Sequence, residues 1–481
     1  MSEHSHHDSV RKWYVMAAVA IGIFLATIDA SIVNIALPIL EHDLHTDFAV
    51  VEWVVLGYLV TVTTLMLSIG RLADMIGKKS IYAAGMVVFT ASSVLCGLSQ
   101  NIAILIAFRV LQATGAAMIM ALGNAIITET FPASERGKAL GIGGLFVSVG
   151  IIAGPTIGGL ILGAFSWHWI FFVNLPIGII GVLMTLRFVP TGRPPGGQRF
   201  DLLGAVCLFV ALLALLLGLT VGQTTGFSRP PVIAFFGVFA LFLAGFLTIE
   251  TRVRQPMIDL QLFRNRLFSI NLITGFLAFI SSAGTILLMP YYLEDVRRYS
   301  PLTAGLLLAV VPASVATVAP WAGSLSDRFG TRPLAAIGLG ILVVGYTAAS
   351  TLRLDTGILG YILRFVPIGL GIGFFQSPNN SAIMGAVPRE RLGVASGLLS
   401  LTRTLGQTVG IAAVAALWAA RVAAHSDGAV LPEATAAPAS IRVMALNETL
   451  HVVVGLVVIA LVLSLWALWQ ERRMQAAQRP A

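Results

Sequence analysis

Fourteen apolar stretches, each long enough to cross a bilayer as a helix, recur along this chain. That recurrence leaves few folds open. Lipid offers the backbone no hydrogen-bond partners, so such stretches must be helices that satisfy their own peptide groups. We place spans at roughly 13–37, 51–69, 80–98, 103–128, 139–163, 168–187, 202–221, 231–249, 268–290, 303–324, 333–351, 357–385, 393–419 and 447–470. The fold class is therefore all-α, a polytopic membrane protein. Of 481 residues, 57% are hydrophobic and 11% charged, about half the charge of a soluble chain. That excludes a soluble domain on a single anchor. Trp13 to Pro38 is too long for a cleavable signal. Cys96 and Cys207 both fall in spans, so no disulfide framework is expected.

The net charge of +8 could suggest nucleic acid, but its distribution points to topology and no nucleic-acid partner is expected. With the N-terminus placed in the cytoplasm, twenty-one of the thirty Lys and Arg residues fall in cytoplasmic segments. Six fall outside, and Arg109, Arg364 and Arg403 lie within spans. An even span count puts both termini on one side, so the expected location is the cell's inner (plasma) membrane with both ends cytoplasmic. His4, His6 and His7 are read as a short solvated tail and not as a metal site. Asn447-Glu448-Thr449 matches a glycosylation acceptor by chance, since it abuts a span.

The chain repeats itself after about 253 to 256 residues. Gly70 to Lys78 is echoed by Gly323 to Thr331, and Arg109 by Arg364. Pro132 and Arg136 are echoed by Pro388 and Arg391, and Gly141 and Gly150 by Gly397 and Gly406. We therefore expect two related six-helix bundles, residues 1–189 and 268–481. Residues 190–267 carry a linker, two inserted helices and a loop. Parallel repeats of this kind bind substrate near mid-membrane and rock about it.

In Gly141 to Gly159, Gly143, Gly150, Gly154 and Gly158 share one helix face. Such a stripe lets a neighbouring backbone come close in lipid. Gly154-Pro155 removes a backbone donor and invites a kink. The stripe alone fits tight packing as well as a pivot. The full spacing of Gly141, Gly150, Gly154, Pro155, Gly158 and Gly159 resembles the antiporter motif of the major facilitator superfamily. Gly141 lies opposite Gly150, off the stripe. The whole chain resembles that superfamily's fourteen-span drug:proton antiporters. Ile28 to Pro38 is similar to their first-helix motif, with Ser31 where Thr is common. Gly70 to Lys79 is similar to the loop 2–3 motif, with Met75 where Arg is usual. Arg109 to Gln112 with Gly115 resembles the fourth-helix motif. Trp167 to Pro176 resembles the start of the sixth helix, with His168 where Arg is usual.

Asp29 is the residue singled out for proton coupling. It lies about nine residues, ~14 Å of helix, from the end of its span at Pro38. A carboxylate at such depth is costly and marks function by default. Desolvation there favours the neutral acid, which can load and release a proton. The alternative is a structural carboxylate. Arg109 lies at similar depth as its partner, and the resemblance implies a role in proton transfer; a structural ion pair is the alternative. Asp74 and Asp327, with Gly70, Gly77 and Arg328, are read as an inner gate. Each acid sits in a Gly-rich turn and is expected to hold a helix N-terminus of the other half. Simple turn chemistry is the alternative. Asn34, Gln112, Phe276, Phe279, Phe374 and Phe375 are candidates to line a substrate cavity, though such aromatics are as a rule bundle core. Arg364 and Arg403 are read as helix glue, snorkelling heads or substrate contacts.

The resemblance implies proton-driven export of amphipathic drugs by antiport. Export of one metabolite is the alternative, and a non-transporting receptor is disfavoured. With no phosphate-binding loop and no nucleophile–base or metal cluster, neither ATP hydrolysis nor enzyme chemistry is expected. No cofactor is expected beyond the proton gradient. Partners are a small molecule, protons and lipid, and the working unit is taken as a monomer. One deep acid implies one proton per cycle, with Glu52 the nearest second candidate.

Overall fold

The computed structural model describes residues 2–46, 48–51, 53–192, 200–253, 255–258, 260–426 and 437–477. Glu52 and most of the linker 190–198 lie outside them. Among the described residues there are no strands and fourteen helices of membrane-crossing length and hydropathy, as the sequence predicts. We label them α1 (Ser2–Asp43), α2 (Trp53–Ile76), α3 (Lys78–Gly97), α4 (Ile102–Thr130), α5 (Arg136–Ala164), α6 (Asn174–Phe188) and α7 (Leu202–Thr225). There follow α8 (Pro230–Arg252), α9 (Arg266–Pro290), α10 (Val310–Phe329), α11 (Thr331–Ala349), α12 (Ile358–Gly385), α13 (Leu392–Ala424) and α14 (Ala439–Ala477).

Local chemistry sets the ends. Asn101 caps α4 by accepting from the Ile104 amide at 2.9 Å, and Asp201 caps α7 through Gly204 at 2.9 Å. Between α2 and α3 the chain turns on the single residue Gly77, at φ +106°. Gly330, at φ +91°, does the same between α10 and α11. A side chain is strained in that left-handed region, which is why glycine stands at both repeat-related breaks. Because one residue makes the whole break, Asp74 and Asp327 do not lie in turns as expected. They belong to the last turns of α2 and α10.

Helices α1–α6 close around one apolar core that includes Val19, Tyr82, Met86, Phe89 and Leu122. Helices α9–α14 close around another that includes Leu339, Tyr346, Phe365 and Trp418. Phe375 is buried in this second core. The inserted helices α7 and α8 pack on each other, and α7 rests against both α2 and α13. The two halves meet along α5 against α10 and α2 against α13. At these seams backbone touches backbone. A Cβ on Gly70 would strike the Gly393 carbonyl, one on Gly137 the Gly323 carbonyl, and one on Gly141 the Ala319 carbonyl. Only glycine permits that approach.

Candidate transport site

Asp29 is fully buried on α1, and three side chains from two other helices are its partners. Arg109 of α4 donates from Nη1 to Oδ2 at 2.6 Å. Gln112, one turn along α4, donates from Nε2 to Oδ1 at 2.9 Å. Asn174, at the start of α6, donates from Nδ2 to the same Oδ1 at 2.9 Å. A further layer holds these groups. Arg109 Nε donates to the Val54 carbonyl of α2 at 3.1 Å, and Nη1 also reaches Gln112 Oε1 at 2.7 Å. The guanidinium lies over the Tyr58 ring, 4.2 Å from its centroid. Asn174 also donates to Ser93 Oγ of α3 at 2.9 Å, and Ser93 donates to the Phe171 carbonyl at 2.8 Å. One carboxylate thus ties α1 to α4 and α6, and its partners reach α2 and α3.

The arrangement has a chemical consequence. A buried pair is compensated only while both charges are present. A proton on Asp29 removes one charge and leaves the Arg109 guanidinium unbalanced in a dry site. Asn174 and Ser93 were not assigned a role from sequence. Asn174 stands within the stretch that resembles the sixth-helix motif, and it is a carboxamide in an otherwise apolar run, which was the available signal.

The glycine track joins this cluster to the seam. Thr27 and Ser31 flank Asp29 along α1, and both face α5. A Cβ on Gly150 would collide with Thr27 Oγ1, one on Gly154 with Ser31 Oγ, and one on Gly158 would come within 2.8 Å of Ile32 Cγ1. Ser31 Oγ also donates to the Gly150 carbonyl at 3.1 Å. Gly141 lies on the opposite face of α5, against α10 of the other half. The motif is thus two contacts on one helix, a stripe for α1 and a single glycine for α10. Pro155 and Gly159 are exposed, away from α1, and α5 continues through Pro155.

At the face carrying the α2–α3 and α10–α11 turns, here called the basic face, two acids bridge the halves. Asp74 accepts from the Gly393 and Val394 amides at 2.8 and 3.0 Å, at the start of α13. Asp327 accepts from the Gly137 and Lys138 amides at 2.8 and 3.0 Å, at the start of α5. The first turn of a helix has free amides and a partial positive charge, so a carboxylate is the complementary cap. The two latches are related by the internal repeat. Lys78 braces the first, 3.3 Å from Asp74 and 3.4 Å from Glu129. Arg328 is exposed and takes no part, because backbone amides already satisfy Asp327.

The remaining cavity candidates divide. Asn34 is exposed on α1, and Phe276, Phe279 and Phe374 are half-buried. Gln112 is consumed by the Asp29 cluster, and Phe375 by the C-terminal core, so neither offers a wall to a ligand. Arg364, the repeat partner of Arg109, meets no acid and bonds locally to Thr351 and the Gly360 carbonyl. The second half has therefore lost the counterpart of the deep ion pair.

A family model described as Major Facilitator Superfamily matches residues 19–411. The chain belongs to the major facilitator superfamily. It is 36% identical over 410 residues to the riboflavin transporter RibZ of Clostridioides difficile (strain 630), covering 84% of this chain and 87% of that one. It is 34% identical over 417 residues to the multidrug resistance protein Stp of Mycobacterium tuberculosis, covering 85% and 76%. Among solved structures, the human organic anion transporter MFSD10 superposes with a TM-score of 0.63 over 93% of this chain and 99% of that one. At 14% identity that likeness shows the fold alone. This superfamily member is a multi-pass membrane transporter and not an enzyme.

Proposed function

We propose that this transporter exports amphipathic small molecules in exchange for protons, as a monomer in the cell's inner membrane with both termini in the cytoplasm and no cofactor but the proton gradient. One observation carries the reading. Asp29, the carboxylate to which this reading assigns the proton, sits on the same two turns of α1 that rest on the glycine track of α5. A change of charge at Asp29 therefore acts on the helix whose fit to α5, and through Gly141 and Gly137 to the other half, changes in transport. Relatives named as multidrug resistance and drug export proteins support a drug-like cargo. The relative named a riboflavin transporter favours a second reading, transport of one metabolite on the same scaffold.

The test compares native protein with Asp29→Asn in proteoliposomes under an imposed pH gradient. Asn keeps the shape and can still accept from Gln112 and Asn174, but it takes up no proton and its amide nitrogen cannot accept from Arg109. Substrate binding should persist while uphill export stops. Uphill export at the native rate in the variant would make Asp29 structural and send the proton elsewhere.

A further inference from the structure

Among the described residues, Arg403 is a cation within a span that the machinery above does not use and that, unlike Arg364, has no local hydrogen bond. It lies eleven residues into α13, about 17 Å from the start of that helix, near the middle of the membrane. It is half-buried, unlike the fully buried Arg109. Among the described residues it has no ion pair and no hydrogen bond, and no charged group lies near enough to act on it. Yet part of its surface is open. The packing of α13 on either side of it, against α4 and α9, places that open surface in an internal space.

The helix geometry locates that space. Ser400, just before Arg403, donates to the Met120 carbonyl of α4 at 3.1 Å. Gly406 and Gly410, just after it, rest on Phe276, Phe279 and Ile280 of α9. At 100° per residue Arg403 points between those two directions, into the gap between α4 and α9 where the halves face each other. Gln407, one turn on and exposed, points the same way. Half-buried Phe276 and Phe279 pack on Gly406, which is about one turn along α13 from Arg403.

Asp29 already carries its own guanidinium, so it does not balance Arg403. An unpaired cation within a span is costly and persists where a ligand neutralises it. A guanidinium beside aromatic side chains is suited to a carboxylate, sulfonate or phosphate group on an aromatic body. We propose that Arg403 is the recognition residue for the anionic group of the cargo, so that the transporter handles aromatic anions in preference to cations. This rests on the export reading and specifies its substrate class.

The experiment uses two dyes on one three-ring skeleton, fluorescein as the anion and rhodamine 123 as the cation. Binding is measured first, by fluorescence anisotropy on the full chain in detergent, with no gradient present. Fluorescein should bind native protein more tightly than rhodamine 123. Arg403→Gln should weaken fluorescein about tenfold or more, Arg403→Lys should restore much of it, and rhodamine 123 should be indifferent to both. Matched elution and melting of the variants excludes misfolding. Equal fluorescein affinity in native protein and Arg403→Gln overturns the proposal, as does a preference for rhodamine 123. Transport is then measured in phosphatidylcholine vesicles with and without a pH gradient. Charge-selective binding that depends on Arg403, without gradient-driven export, supports the anion site and defeats the export reading. If added phosphatidylglycerol abolishes fluorescein binding, the occupant is a lipid headgroup and the assignment to cargo falls.

Discussion

At the scale of single residues, the Asp29–Arg109 pair has an energetic signature distinct from the role proposed for it in transport. Removing one partner of a buried ion pair leaves a bare charge, at a cost of about 3–5 kcal/mol. Arg109→Gln should therefore lower the melting temperature in detergent strongly. Adding Asp29→Asn to it should recover most of the loss, because no charge is then left unpaired. Non-recovery in that double-mutant cycle would mean that Arg109 acts through packing on Tyr58 and not through Asp29. Both residues were legible from sequence, since a charge inside an apolar run stands out. Asn174 was not singled out, because an amide in a span is less costly and its target is remote in sequence. Nor could sequence show that Phe375 is core while Phe374, one residue earlier, is half-buried. That distinction depends on which face of α12 meets α11.

At the scale of elements, α5 is a helix with two working faces. Gly154→Leu places a branched side chain where Ser31 Oγ and the Ile32 amide now stand. We expect export to cease with the protein still in the membrane, as read by dye efflux against a membrane-fraction immunoblot. Persisting export would reduce the track to packing. Sequence supplied the stripe but left Gly141 without a partner, because its contact is the Ala319 carbonyl of a helix nearly 180 residues away. The latches were likewise half legible. The acids stood out because both copies of the repeat keep Asp, and a helix N-terminus was the expected target, whereas the identity of the targets, Gly393 and Gly137, needed the packed halves. Ser377 lies at this seam and donates to the Gly137 carbonyl at 2.9 Å. In a Ser377→Cys background, Asp74→Asn or Asp327→Asn should speed maleimide labelling by opening the basic face. Unchanged labelling would count against the latches.

At the scale of the whole molecule, the span map makes a topological prediction. A reporter enzyme active only outside the cytoplasm should be silent when fused after Arg472 and active when inserted within Ala423 to Ser440. The reverse pattern would overturn the orientation read from the Lys and Arg bias. The repeat was legible because paired motifs recur at one spacing, and two bundles follow from it. How far the halves had diverged was not, since Arg364 aligns with Arg109 and yet bonds to Thr351 and to the Gly360 carbonyl of its own helix.

The unneutralised guanidinium of α13 also has an electrical consequence. An anion moving out and a proton moving in both carry positive charge inward, so each cycle transfers two charges. At 100 mV the potential then contributes about 4.6 kcal/mol, and one pH unit adds about 1.4 kcal/mol. Together they sustain a concentration ratio on the order of 10,000-fold. A monovalent cation exchanged for one proton moves no net charge and retains only the pH contribution, roughly tenfold. For an aromatic anion the transporter is a current source, and clamping the voltage of a planar membrane to zero should remove most of its concentrating power while leaving its pH response intact.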